Sequence, residues 1–394
     1  MKKDNHHISN FLKIQLKKFG TQIMFFFFLF SQNSVLSQTC SSFILNESKI
    51  VASDRAVNDK FGASVSISGD YAIVGAFSED QDTFGLNLLN NSGAAYIYER
   101  NSNGEWEEKQ KLIASDRGAD DWFGTAVAIS GNYAVVGSFR EDEDTFGLNS
   151  LSNSGSAYVF ERSSSGVWEE TQKIVASDRA SEDRFGFSVS ISGNQLIVGA
   201  PREDEDALGA NSALDAGSAY VFERNVGGEW IEIQKLIASD RAAGDDFGAS
   251  VSISGNYILI GASQEDEDTL GANTLAESGS AYLFERNASG TWIENRKIIA
   301  SDRAIDDRFG ISVSISGNYV VVGAYFEDED DIIEKQKTFL RPKIDTIYTH
   351  IKKAEELSKS ENHQEAINII KSLITKNTFT KSHHEAYGWI IYRY

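Results

Sequence analysis

The sequence runs to 394 residues, with 58 Asp+Glu against 37 Lys+Arg, six His and one Cys. Residues 1–37 hold five Lys and one Asp, and residues 332–394 hold eleven Lys+Arg against seven Asp+Glu, so residues 38–331 carry a formal charge near −29. A body that acidic repels nucleic-acid phosphates and anionic lipid surfaces. All six histidines (His6, His7, His350, His363, His383, His384) lie in the two ends, which removes the commonest general base from the body, and lone Cys40 allows neither an internal disulfide nor a thiolate cluster.

At the N-terminus, Lys2, Lys3, Lys13, Lys17 and Lys18 precede the apolar run Ile23 to Phe30. Val35 and Ser37 then supply small residues for a cut before Gln38. Eight apolar residues are too few to cross a hydrocarbon core, which needs about 20. Residues 1–37 are therefore expected to be an export signal, and the protein to be secreted or displayed at the cell surface without membrane insertion. Gln38-Thr39 is a poor context for lipidation of Cys40.

Beyond the signal the text repeats every 62 residues. Phe-Gly recurs at Phe61, Phe123, Phe185, Phe247 and Phe309, Trp at 106, 168, 230 and 292, and a Gly-Asn or Gly-Asp pair at Gly69, Gly131, Gly193, Gly255 and Gly317. One unit contains four strand-like runs. Ala63 to Ser68 alternates apolar and polar, and Gly69-Asp70 makes a hairpin turn. Tyr71 to Ala76 is apolar enough to be covered on both faces. An acidic loop from Phe77 to Ser92 leads to a third strand over Ala94 to Arg100, a turn at Asn101 to Gly104, and a fourth strand from Glu105 to Ser115. Four antiparallel strands at fixed period predict an all-β protein, a β-propeller whose blades bury one another's faces through the second strand and the Phe of each Phe-Gly pair. The acidic composition and the lack of an apolar-out alternation argue against a porin-like barrel. Glu47 to Ser53 matches only a fourth strand, and Phe309 to Tyr325 only the first two. These ends give about five blade-equivalents over residues 38–331, either a ring whose closing blade lacks its third strand or an open fragment of a larger propeller.

Phe61-Gly62-Ala63-Ser64-Val65, Gly69-Asp70 and Gly75-Ala76, completed in the third copy as Gly199-Ala200-Pro201, resemble the FG-GAP repeat of integrin α-chain propellers and secreted bacterial proteins. Gly-Ser-Ala-Tyr-Val-Phe-Glu-Arg (Gly155 to Arg162) is similar to the bacterial branch. The resemblance covers about residues 47–330 and implies a module that binds a protein or glycan at the cell surface.

After Asp331 the pattern changes. Ala354, Leu357, Ala366, Ile367, Ile370 and Leu373 fall at helical spacing, so residues 332–394 are expected to form a helical hairpin that weakly resembles one tetratricopeptide unit. The aromatic text Trp389 to Tyr392 reads as helix-like too.

Each acidic loop pairs two aspartates with a Gly at the sixth place: Asp80 and Asp82, Asp142 and Asp144, Asp204 and Asp206, Asp266 and Asp268. Clustered oxygen ligands around a sharp turn suit Ca²⁺, and the resemblance implies the same ion. Phe84, Phe146, Leu208 and Leu270 stand at position five in place of an oxygen ligand, where they are expected to pin the loop against the blade; the alternative for the whole loop is a solvated acidic rim. Asp54-Arg55, Asp116-Arg117, Asp178-Arg179, Asp240-Arg241 and Asp302-Arg303, with Asp59, Asp121, Asp183, Asp245 and Asp307, read as turn caps with Arg reaching a neighbouring blade. An active site needs one asymmetric constellation, and a recurring one is scaffold. Residues that vary between copies mark the binding surface instead: Lys60, Trp122, Arg184, Asp246 and Arg308 before each Phe, and Phe77-Ser78, Phe139-Arg140, Pro201-Arg202, Ser263-Gln264 and Tyr325-Phe326 after the second strand. Exposed Trp122 with Arg140, Arg184 and Arg202 would form an aromatic and basic patch. The resulting expectation is a binding or adhesion module and not an enzyme. The alternatives are a glycan-active hydrolase using an Asp/Glu pair and an intracellular helical-repeat interaction protein carrying a fused propeller.

Overall fold

A computed structural model describes residues 48–271 and 273–327 and the backbone of the strand Ile390–Arg393. The expected export signal over residues 1–37 and all but the last few residues of the expected helical, tetratricopeptide-like hairpin lie outside the described residues.

Each unit folds into one antiparallel sheet whose strands pair in chain order. The first blade consists of Val65–Ser68, Tyr71–Ala76, Ala94–Arg100 and Trp106–Leu112. The second uses Ala126–Ser130, Tyr133–Ser138, Ser156–Arg162 and Trp168–Ile174. The third uses Ser188–Ser192, Gln195–Ala200, Ser218–Arg224 and Trp230–Leu236, and the fourth Phe247–Ser254, Tyr257–Ala262, Ser280–Arg286 and Trp292–Ile298. The fifth sheet has three strands: Phe309–Ser316, Tyr319–Ala324 and Ile390–Arg393. The described residues are all-β, five sheets with the architecture of a five-bladed propeller. No helix among them is long and apolar enough to cross a membrane.

The second strands form because Val, Ile, Gly and Ala leave nothing that needs water, and both of their faces are buried as expected. Gly69 sits at φ 59° in the hairpin turn, a conformation that costs a glycine nothing. The core lies between blades. Ile73, Ala95, Ile97 and Leu112 of the first blade meet Phe123, Val127, Ile129 and Tyr158 of the second, and the next three junctions repeat the arrangement. Phe123, Phe185, Phe247 and Phe309 are fully buried there, each stabilising its junction by roughly 1.5–3 kcal/mol. Phe123 also stands edge-on to Tyr158 and Phe160, at 5.4 and 6.1 Å. The first strand of each blade runs beside the first strand of the next.

Two expectations about the ends are corrected. The last blade does not lack a third strand, because Ile390–Arg393 pairs with Tyr319–Val322 in that place. Ile390, Ile391 and Tyr392, read as helix-like, are strand: β-branched and aromatic residues fit a ladder once an unpaired neighbour is available. Residues 48–53 form no strand. Instead Val51 and Ser53 cap the first blade, with the Val51 carbonyl accepting the Tyr98 hydroxyl at 2.9 Å and Ser53 donating from N and Oγ to Glu108 at 2.8 and 2.7 Å.

Candidate functional site

The eight loop aspartates are engaged by their own loops. Asp82 Oδ1 accepts the N–H groups of Phe84 and Leu86 at 2.8 and 2.9 Å, and its Oδ2 takes Asn87 Nδ2 at 2.6 Å. Asp144 and Asp206 repeat this at Phe146 and Leu148, and at Leu208 and Ala210; Asp268 receives Leu270 N–H and the Asn273 amide. These donors, led by the N–H of Leu86, Leu148 and Ala210, hold the carboxyls of Asp82, Asp144 and Asp206 below the ordinary range, Asp206 at about 2. The first aspartate of each pair serves the far end of its loop: Asp80, Asp142, Asp204 and Asp266 accept N–H groups eleven residues on, each at 2.7 Å. The position-six glycines sit at φ 65–69°, the turn the pattern anticipates. Position five behaves otherwise than expected. Phe84, Phe146, Leu208 and Leu270 are 81–88 % exposed and project from the blades, because the Asp brace turns the backbone outward there.

Among the described residues one group of three carboxylates comes within mutual metal-ligating reach: Asp240, Glu265 and Glu267. Lys297 Nζ already sits on it, 2.7 Å from Asp240 and 2.8 Å from Glu265. This belongs to a recurring box that the sequence reading missed. Lys111 joins Asp54 and Glu79, Lys173 joins Asp116 and Glu141, and Lys235 joins Asp178 and Glu203. A tyrosine completes each box, with Tyr96, Tyr158, Tyr220 and Tyr282 donating to the same Asp at 2.8–2.9 Å. Glu79, Glu141, Glu203 and Glu265 are buried, and burial beside two acids holds each tyrosine protonated far above its usual range. Burial opposes the charge of Lys173, yet its bonds to Asp116 and Glu141 raise its pKa. The members lie 15 to 57 residues apart across two units; the available cue was a Lys and a Tyr keeping the 62-residue step beside the Asp of Ala-Ser-Asp-Arg.

The Asp-Arg strings cap and bridge as expected. Arg117 donates to the Asp80 carbonyl at 2.9 Å and to Ser92 Oγ at 2.7 Å in the preceding blade, and Arg179, Arg241 and Arg303 do likewise at Asp142, Asp204 and Asp266. Asp121, Asp183 and Asp245 each accept an N–H three residues back, but burial dominates and pushes their carboxyls up to about 7.

The variable positions form a collar. Lys60, Trp122, Arg184, Asp246 and Arg308 all adopt left-handed backbone, with φ between 54° and 61°, a conformation non-glycine residues hold only when their surroundings fix it. Trp122 is half-buried rather than exposed, held between Phe77 at 5.0 Å and Phe139 at 5.5 Å. The Arg140 guanidinium lies 3.8 Å over its ring, and Arg184 stacks over Phe139 at 5.6 Å. Burial first, then repulsion from Arg202 and Arg140, lowers the pKa of Arg184. Trp122 Nε1 and Arg184 Nε are buried without an acceptor. None of Arg140, Arg184 and Arg202 is in an ion pair among the described residues. Asp246 and Gln264 pair with one another at the next blade.

With this geometry in place, the FG-GAP repeat model matches residues 45–98, 106–160, 168–222, 230–284 and 292–337, well over half of the sequence. The chain belongs to the FG-GAP repeat family. No curated protein matches it. FG-GAP repeats build β-propellers that bind other molecules, and here the collar is where the repeat leaves side chains unconstrained by its own scaffold. Three guanidiniums without an ion pair among the described residues, set around stacked aromatics, can take an oxyanion such as a carboxylate or sulfate by paired N–H donation.

Proposed function

We propose that this FG-GAP propeller is a secreted or cell-surface binding module, without catalytic turnover, whose collar holds an anionic group of a protein or glycan ligand. One observation carries the reading: Arg140, Arg184 and Arg202 gather on an acidic body with no ion-pair partner among the described residues, and Arg184 is held there despite the repulsion of Arg202 and Arg140. Glu182, Asp215 and Asp246 offset part of this repulsion, and a bound anion would offset more of it. The aromatic bed of Phe77, Trp122 and Phe139 adds a flat apolar surface that suits a sugar face or an aromatic side chain. The loop aspartates and the acids of the Asp-Arg turns recur blade by blade, which supports binding over chemistry.

The test is an array of acidic and neutral glycans and matrix proteins probed with the full chain and with Arg184→Ala/Arg202→Ala. Binding confined to ligands with carboxylate or sulfate groups, and lost in the double variant, supports the proposal. Retention of that binding by the double variant overturns it. A calcium contribution through Asp80, Asp82 and their equivalents belongs to the same reading, with the amides that now brace these carboxylates sharing them with the ion.

A further inference from the structure

The two ends of the blade series carry the halves of a junction that is complete four times inside the chain. At each internal junction the following blade presents two apolar residues of its first strand to the preceding blade. Val127 and Ile129 are 7 % and 5 % exposed for this reason, and Val189, Ile191, Val251 and Ile253 are buried alike. Val65 and Ile67 hold the same places on the first blade and are 69 % and 65 % exposed. The covering blade supplies Ile73, Val135, Ile197 and Leu259, all fully buried, whereas Val321 in that place on the last blade is half-open.

The polar contacts are divided the same way. Ser66 Oγ accepts Ile129 N–H at 3.2 Å and Ser68 Oγ accepts Gly131 N–H at 3.1 Å; Ser190 and Ser252 receive Ile253 and Ile315 N–H, both at 3.1 Å. At the ends, Ser314 and Ser316 are exposed, and no hydroxyl among the described residues reaches the N–H groups of Ile67 and Gly69.

A third element is backbone shape. A Cβ on Gly75 would stand 2.0 Å from the Gly124 carbonyl oxygen, and Gly137, Gly199 and Gly261 meet Gly186, Gly248 and Gly310 at 1.9–2.0 Å. The glycine is kept at Gly323, where no following blade approaches and only its own blade's Ser312 is near, while Gly62, which would supply the carbonyl, has open space around it.

We propose that a second copy of this chain docks head to tail, the first blade of one copy seating its Val65–Ile67 strand on the Ser312–Ser316 and Val321–Gly323 face of another copy's last blade. The exposure of Val65 and Ile67 shows that the last blade of the same copy does not cover them. The contact uses the first two strands only. In the fourth strands an amide clasp joins Gln110 to Trp168, Gln172 to Trp230 and Gln234 to Trp292, and that series stops at Arg296 on one side and Ser48 on the other. Docking is thus a partial junction and depends on concentration. Because its two surfaces differ, it builds rings where the rotation closes and filaments where it does not.

The test uses full-length chains with Cys40→Ser. Ser314→Cys chains are mixed with Ile67→Cys chains and oxidised with copper–phenanthroline, with Ser66→Cys/Ile129→Cys as the internal junction that must cross-link within one chain. A covalent dimer in the mixture and in neither parent alone, together with a light-scattering mass that rises with concentration and returns to monomer in Ile67→Lys, is the expected result. Ser314→Arg, at the opposite end, gives the same return to monomer by disrupting the other half. No dimer in the mixture while the internal control links, or a purely intrachain link in Ser314→Cys/Ile67→Cys, overturns the proposal.

Discussion

The Asp–Tyr–Lys–Glu box and the collar both sit where one blade hands over to the next, yet they are built on opposite terms. The box uses the same four residues in four blades, buries its Tyr and Glu, and gives every charge a partner, as Lys235 does with Asp178 and Glu203. The collar changes in every blade, Lys60, Trp122, Arg184, Asp246, Arg308, and while Arg308 pairs with Glu277, Arg140, Arg184 and Arg202 stand outside any ion pair among the described residues. Repetition fixes what the junction needs in order to fold. Variation at a fixed and strained backbone position marks side chains the fold does not use, which is where a ligand can act.

That contrast can be broken most sharply at the box. Lys235→Met leaves Asp178 and Glu203 facing one another without their cation, and the urea unfolding midpoint should fall by the equivalent of about 3–5 kcal/mol. Gly199→Ala drives a Cβ to within 2.0 Å of the Gly248 carbonyl and should cost about 1–3 kcal/mol in the same assay, whereas Gly323→Ala leaves the melting temperature of dilute monomer unchanged. Acidification gives the next effect. Asp121, Asp183 and Asp245 titrate at about 7 in the fold and near 3.8 when unfolded, so between those values the folded chain binds the extra protons. Stability therefore rises as pH falls from about 8 toward 5, by up to about 1.4 kcal/mol per group per pH unit between the folded and unfolded pKa values. It declines below about 4, where the Asp82, Asp144 and Asp206 braces protonate. Asp246, pushed up to about 6 by burial, adds to the rise, and Asp183→Asn makes it shallower by removing one of these groups. On the collar side, Arg184→Met should move stability by less than about 1 kcal/mol while weakening an acidic ligand at least about tenfold, since a hydrogen-bonded charge contact contributes about 1.5–3 kcal/mol. A stability loss as large as that of Lys235→Met would erase the distinction. The smallest effect expected is that of millimolar Ca²⁺, because amides already occupy the loop aspartates; a melting temperature raised by several degrees would reassign them as ligands.

Much of the blade was legible because its physics is local. Tyr71–Ala76 and Ala94–Arg100 follow from an apolar run and from flanking turns, and both appear with the bounds the pattern gives. The box was not legible, since its acids come from two units and only the folded junction brings Asp178 to Lys235. The outward position of Phe84 and its equivalents was misread because an apolar residue in a loop says nothing of which way the backbone turns; that was decided by the Asp82 brace. The collar residues were found by their variation, but the half-buried stacking of Trp122 depends on Phe77 and Phe139 from two blades.

The side-chain ties between blades, Gln172 to Trp230 or Ser188 Oγ to the Gly248 carbonyl, reach only the adjacent unit. Length is consequently a free variable of this architecture. Removing residues 168–229 as one piece would bring Gln110 to Trp230 and Gly137 to Gly248, each new neighbour the same residue as the one it replaces. A change in copy number therefore keeps every junction intact, and the number of collar positions presented to a ligand can change by one without redesign of the rest.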